Sequence, residues 1–199
     1  MLPGYSLTYR DKDSELNINN GTYLQMLTQV GREGYGSDID FAKAVVEGLV
    51  IRTFNDVHRI TIRGEAGAIK TNSFDEVPTS LRFYAGGDKS IRGFEYREIS
   101  PKAEVISPET GKLTTDSIGG KYLLTSSVEY AYQVADNWRV AAFFDAGTAT
   151  NDTSTTLTYG IGPGVHWLSP IGPVRFYIAR GFSPDQNTWD IHIMLGPEL

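Results

Sequence analysis

The feature that most limits what this chain can fold into is a two-residue rhythm that recurs along most of its length. In residues 140–145, Val140, Ala142 and Phe144 alternate with Ala141, Phe143 and Asp145. In residues 160–167, Ile161, Pro163, Val165 and Trp167 alternate with Gly160, Gly162, Gly164 and His166, and in residues 174–179 Val174, Phe176 and Ile178 oppose Arg175, Tyr177 and Ala179. Successive strand residues point to opposite faces, so one face is apolar and uncharged while the other carries Asp, Arg, His, Gly and Tyr. The rhythm marks strands at residues 5–10, 22–30, 41–53 and 58–69 in a first block (5–69). A second block (122–196) contributes residues 122–133, 138–147, 157–167, 174–180 and 189–195. The short connections of the second block predict an all-β, antiparallel, up-and-down meander of about nine strands. No segment holds a 3.6-residue apolar stripe, so almost no helix is expected.

Composition narrows the class. There are 21 glycines and 11 tyrosines but no cysteine, which suits a turn-rich sheet and removes disulfides and thiolate chemistry. A net charge of -6 argues against a nucleic-acid partner, whose footprint would be basic. The opening MLPGYSLTYRD lacks the basic and apolar regions of a signal peptide. No window approaches the ~20 apolar residues of a spanning helix, but a spanning β-strand needs only about ten with alternate ones apolar. A soluble sandwich shares the alternation. The choice between them falls to aromatic residues near strand ends, Tyr122, Tyr130, Tyr132, Trp138, Trp167, Phe182 and Trp189, which resemble the interfacial girdles of a transmembrane β-barrel.

Between the strand blocks runs a connection of about 50 residues (70–119), far longer than an ordinary loop. It contains LRFYAGGDKSIRGFEYREISP (81–101). Gly86 and Gly87 allow a tight reversal, and Ile91 and Phe94 flank Arg92 and Gly93, which presents a permanent cation between two apolar anchors. On local residues alone a solvated surface turn fits as well. Catalytic signatures are missing: there is no G-x-S-x-G elbow, no HExxH and no cysteine nucleophile. His58, His166 and His192 are widely separated and suit structural roles better than metal ligation. The string GGDKS lacks the spacing of a phosphate loop. No enzyme activity, cofactor or metal is expected.

Four segments in series carry a resemblance. RFYAGGDKSIRGF (82–94) resembles the conserved loop, centred on an (I/V)-R-G-(F/Y) tetrad, of the outer-membrane insertase superfamily that includes BamA, TamA and the two-partner secretion transporters. GGKYLLTSSVEY (119–130), FFDAGT (143–148) and GIGPGVHWLSPIGPVRFYIA (160–179) resemble three barrel segments of that superfamily in the same order. The ISP tail of the loop and the ending GPEL look most like the TamA branch. The resemblance implies a bacterial outer-membrane location and a sixteen-stranded barrel preceded by POTRA domains, of which residues 1–199 would be a later barrel portion without POTRA domains. It implies that the long loop folds into the lumen with Gly86, Gly87, Ile91, Arg92, Gly93 and Phe94 as its motif, and that Asp145 and Glu129 clamp Arg92. The partners it implies are outer-membrane lipids, β-barrel or autotransporter clients, and an inner-membrane or periplasmic protein such as TamB. The implied activity is client insertion or secretion, with a passive or two-partner-secretion pore plugged by the loop as the alternative.

Overall fold

The computed structural model describes residues 3–34, 37–106, 113–152 and 156–198. Strands β1 (Gly4–Lys12), β2 (Gly21–Gly31), β3 (Phe41–Phe54) and β4 (His58–Thr71) come first. A short hairpin, β5 (Lys102–Ile106) and β6 (Leu113–Ser117), interrupts the long loop. The chain then continues through β7 (Tyr122–Ala135), β8 (Trp138–Thr150), β9 (Thr158–Ser169), β10 (Gly172–Phe182) and β11 (Asn187–Leu195). Nine strands form one antiparallel sheet in the order β1-β2-β3-β4-β7-β8-β9-β10-β11. This is the meander that the sequence predicts, and no α-helix occurs among the described residues.

The hairpin β5–β6 was not foreseen. Its segments are only five residues each, and Leu113–Ser117 is mostly exposed, so it carries little alternation to detect. Elsewhere the strands run further than the sequence suggests. β3 and β4 extend to a tight reversal at Asn55 and Asp56, whose positive φ values of 49° and 59° suit the turn that a right-twisted hairpin prefers. β7–β8 and β9–β10 also turn within a few residues at this end of the sheet, whereas β2, β4 and β8 end at the other.

The sheet curls so that its concave face is filled. Along β8 the inward row Arg139, Ala141, Phe143 and Asp145 is buried, and the outward row Trp138, Val140, Ala142 and Phe144 is exposed. Phe41 and Ile69 from the wall pack with Phe83, Ala85, Ile91 and Phe94 from the long loop, so the loop is the filling of this core. The outward face instead carries Leu124, Val128, Tyr130, Ile161, Val165, Phe176, Ile178, Ile191 and Ile193 in contiguous exposed rows. An apolar surface of that extent is the lipid face of a barrel. Tyr130, Tyr132, Trp138 and Trp167 collect near the tight-turn end, where the two tryptophan rings stack at 6.3 Å. Of the aromatic residues expected to form girdles, Phe182 is half-buried and is packed by Arg180.

Trp138, Trp167 and Trp189 are 46%, 43% and 67% exposed, all in outward rows. In liposomes containing brominated lipid their fluorescence is therefore expected to be quenched. Emission that brominated lipid leaves unchanged would contradict the assignment of this face to the membrane.

Candidate functional site

The site is assembled by the loop between β4 and β7 as it enters the concave face. Backbone bridges Phe83 to Gly120 and Ala85 to Ile99 fix the base of the loop. Its tip reverses at Gly86 and Gly87, and the Gly87 N–H meets the carbonyls of both Ile91 and Phe94 at 3.2 and 3.1 Å. Ile91 and Phe94, 0% and 2% exposed, are embedded in the core beside Leu123 and Ala149 of the wall. With its two neighbours of the motif so anchored, Arg92 is held against β7 and β8.

Asp145 grips Arg92 three times: Oδ2 accepts from the Arg92 backbone N–H at 2.9 Å and from Nε at 2.8 Å, and Oδ1 accepts from Nη2 at 2.9 Å. Glu129 Oε2 accepts from Nη1 at 2.6 Å, and the Ser127 hydroxyl accepts from Nη2 at 3.1 Å. The β7–β8 register makes this set possible, because Asp145 sits opposite Ser127 and Glu129 opposite Phe143 on the inward face. The guanidinium carbon lies 3.6 Å from the centroid of the Phe143 ring and 4.6 Å from that of Tyr177. These two rings meet edge to face, 5.6 Å apart at 89°. A planar cation is thus held by carboxylates at its edge and by aromatic rings at its face. Burial disfavours the charged guanidinium, but hydrogen bonding and the charge of Asp145 outweigh it and hold the Arg92 pKa above its ordinary value. Arg92 therefore keeps its charge in this site.

Gly93 adds a second set of contacts, to the last strand. Its N–H donates to His192 Nε2 at 2.9 Å, so that nitrogen is unprotonated and the ring proton sits on Nδ1, facing Asp88 Oδ1 at 2.5 Å. The Thr188 hydroxyl donates to the Gly93 carbonyl, and Gln186 reaches Glu98 Oε1 at 2.6 Å. Gly93 has φ +94° and lies against Gly181, where a Cβ on Gly93 would meet the Gly181 nitrogen at 2.6 Å. Gly160, opposite Asp145 on β9, leaves room for the loop backbone: a Cβ there would stand 2.0 Å from the Arg92 carbonyl.

Arg92, Asp145 and Glu129 thus meet in the structure, joined by His166 and His192, which the sequence marked only as structural histidines, while Phe143, Tyr177, Ser127 and Thr188 are further members that the sequence did not single out. His166 Nε2 is 2.9 Å from the Tyr177 hydroxyl and 3.4 Å from Glu129 Oε1, a buried oxygen with no hydrogen-bond partner. A signal did exist: Tyr177 and His166 fall on the polar face of their strands. His58 lies apart, 2.7 Å from the Tyr130 hydroxyl at the aromatic rim. Among the described residues no group of His, Asp or Glu has the arrangement of a metal site.

This architecture is a known one: residues 2–197 match the Omp85 superfamily domain. The chain belongs to the Omp85 superfamily. It is 33% identical over 182 residues to the outer membrane protein assembly factor BamA of Nitratidesulfovibrio vulgaris, which covers 88% of this chain and 22% of that protein. It is 28% identical over 132 residues to BamA of Neisseria meningitidis, covering 52% of this chain and 17% of that protein. The chain therefore spans about a fifth of the length of these relatives. The crystal structure of BamA from Haemophilus ducreyi lacking POTRA domains 1-3 superposes with a TM-score of 0.79 at 20% identity, covering 97% of this chain and 41% of that one. As an Omp85 barrel, the chain resides in the bacterial outer membrane, with its exposed apolar rows toward lipid.

The close approach at Gly160 generates a direct test. The added Cβ is fixed by the Gly160 backbone and meets the Arg92 backbone carbonyl, so Gly160→Val cannot be relieved by a rotamer change, and overpacking of this kind costs about 1–3 kcal/mol. The loop is expected to leave its seat and to be cut by trypsin at Lys89 or Arg92 faster than in the unsubstituted protein. Gly64→Ala, whose added Cβ would meet only Thr125 O at 3.7 Å, is expected to leave cleavage unchanged.

Proposed function

We propose that the chain is barrel wall of an outer-membrane assembly factor that inserts or secretes β-rich clients, and that the loop is the latch keeping its last strands ready to receive a client strand. One observation carries this reading. The loop that buries Arg92 against β7 and β8 also grips β11 through Gly93, and β11 pairs only with β10 among the described residues. The far edge of β11 offers a row of backbone donors and acceptors to another strand, the recognition mode of β-augmentation. Its outward side chains Trp189, Ile191, Ile193 and Leu195 suit a client strand with an alternating apolar face. The name that the relatives carry, outer membrane protein assembly factor, supports the same reading. The activity is one of binding and strand exchange, without catalysis.

On this reading residues 1–199 are a portion of the barrel, with POTRA domains elsewhere in the full-length protein. The tight-turn end faces the periplasm, because outer-membrane barrels carry their short turns there. The ISP tail of the loop and the ending GPEL support membership of the TamA branch, with autotransporters as clients and a TamB-like inner-membrane partner. Cells lacking the protein are then expected to lose surface autotransporters while keeping their general porins. Loss of porins as well would assign the chain to the BamA branch instead.

The latch is tested by Arg92→Ala in the full-length protein reconstituted in liposomes. Client insertion is expected to slow at least about tenfold, equivalent to 1.4 kcal/mol in the barrier. Insertion at the unsubstituted rate in a folded variant would refute the latch. A second reading, a passive pore plugged by the loop, is favoured by a cavity of about 930 Å³ beside the loop, lined by Lys43, Glu47, Glu65, Arg82 and Lys89 among others. That reading expects Arg92→Ala to open a steady conductance and to leave client insertion unaffected.

A further inference from the structure

Beside the Arg92 site two buried polar atoms find no hydrogen-bond partner among the described residues, Oε1 of Glu129 and Nε of Arg175. Their side chains belong to residues only 5% and 6% exposed. Glu129 spends its other oxygen on Arg92. Arg175, on β10, donates from its terminal nitrogens to Glu198 Oε1 at 2.5 Å and to the Gly196 carbonyl at 3.2 Å, and Arg59 of β4 shares the same Glu198 carboxylate. His166 Nε2 stands 3.4 Å from the free Glu129 oxygen but is engaged by the Tyr177 hydroxyl at 2.9 Å. A carboxylate oxygen or a guanidinium N–H taken out of water without a new partner bears the full cost of its desolvation, so two such atoms in one region call for an occupant that serves both.

Both residues line one cavity of about 90 Å³, together with Thr61 of β4, Ser127 of β7, Arg92 of the loop and Tyr177 of β10. A water molecule takes up roughly 30 Å³ in the liquid, so the cavity has room for a small cluster. Four basic and four acidic side chains line it, which favours neither an anion nor a cation. The occupant has to donate to Glu129 Oε1 and accept from Arg175 Nε, and water does both. The Ser127 hydroxyl, which accepts from Arg92, and the Thr61 hydroxyl, which accepts from Arg59, can each donate their own proton into the cavity. Together these groups supply the two to four polar partners that a buried water requires.

We propose that this cavity is a water-binding site whose waters bridge Glu129 Oε1 to Arg175 Nε. Two separate ion groups thereby become one network of alternating charge: Asp145, Arg92 and Glu129 on one side of the water, Arg175, Glu198 and Arg59 on the other. Among the described residues no hydrogen bond or ion pair joins Glu129 to Arg175 directly, so Arg175 is a positioning residue that acts on the Glu129 carboxylate through water. A bridge of this kind is enthalpically nearly as good as a direct hydrogen bond. The Arg92 guanidinium is dry on the face that Phe143 and Tyr177 cover and wet at the edge that Glu129 holds. The site depends on no client and no partner, and it stands or falls apart from the assembly reading.

Radiolytic footprinting of the full-length protein in nanodiscs tests this, because hydroxyl radicals made from a water oxidise the side chain beside it. Tyr177 is 1% exposed and lines the cavity, Phe143 is 3% exposed and does not, and Tyr96 at 80% exposed reports bulk solvent. Tyr177 is expected to be oxidised several-fold faster than Phe143 despite matching burial. After rapid mixing into water carrying the heavy oxygen isotope, the oxygen added to Tyr177 is expected to stay light for longer than the oxygen added to Tyr96, because bound water exchanges slowly. Oxidation of Tyr177 no faster than that of Phe143, or an isotope change as prompt as at Tyr96, overturns the site. Arg175→Lys keeps a cation for Glu198 but has no Nε–H, and it is expected to shorten the delay at Tyr177. Glu129→Asp, which draws the carboxylate back, tests the other end of the bridge in the same way. A delay unchanged in both variants overturns the bridge between Glu129 and Arg175.

Discussion

A guanidinium that is almost completely removed from water has to find its counter-charges inside the protein, and this requirement organises the concave face. Arg92 could be buried only where two carboxylates, a hydroxyl and two aromatic faces converge. The β7–β8 register supplies the acids, and β10 supplies Tyr177. The cost of desolvation is met by several contacts at once, so removing either acid would leave an uncompensated buried charge. The aromatic anchors, the glycines that admit the backbone and the grip on β11 all follow from seating this one side chain.

The consequence reaches the edge of the sheet. A strand paired on one side only is prone to fray, yet β11 is also tied from within by Thr188 and His192 to Gly93, and beyond its end by Glu198 to Arg59 and Arg175. Among the described residues no strand pairs with the outward edge of β11. On the proposed function, an edge that is both exposed and rigid would lose little order when a client strand pairs with it.

Much of this was legible in the residues. Alternation along residues 140–145 and 174–179 assigned the inward and outward faces of β8 and β10, because a side-chain period of two leaves no other choice once one face is apolar. Arg92 announced itself as a cation between apolar anchors, and Asp145 and Glu129 stand on inward faces where they can reach it. Tyr177 and Phe143 were harder to place, since their meeting spans two strands that are not neighbours and depends on curvature of the sheet, which no local pattern encodes. The Glu198 bridge was hidden for the same reason: its partners lie 139 and 23 residues away on different strands. The hairpin β5–β6 escaped because short, exposed strands leave no periodic trace. Two cues were present but unread: Gly160 and Gly181 on inward faces, which mark where another backbone comes close.

The most direct measurement of the central claim is a double-substitution cycle on Arg92→Gln and Asp145→Asn, with unfolding of the reconstituted barrel as the readout. A direct, buried contact expects strong coupling, about 2–3 kcal/mol at the upper end of what interacting pairs show. Each single substitution would then cost nearly as much as both together. Effects that simply add would mean that Arg92 and Asp145 do not hold each other, and the latch would have to be abandoned.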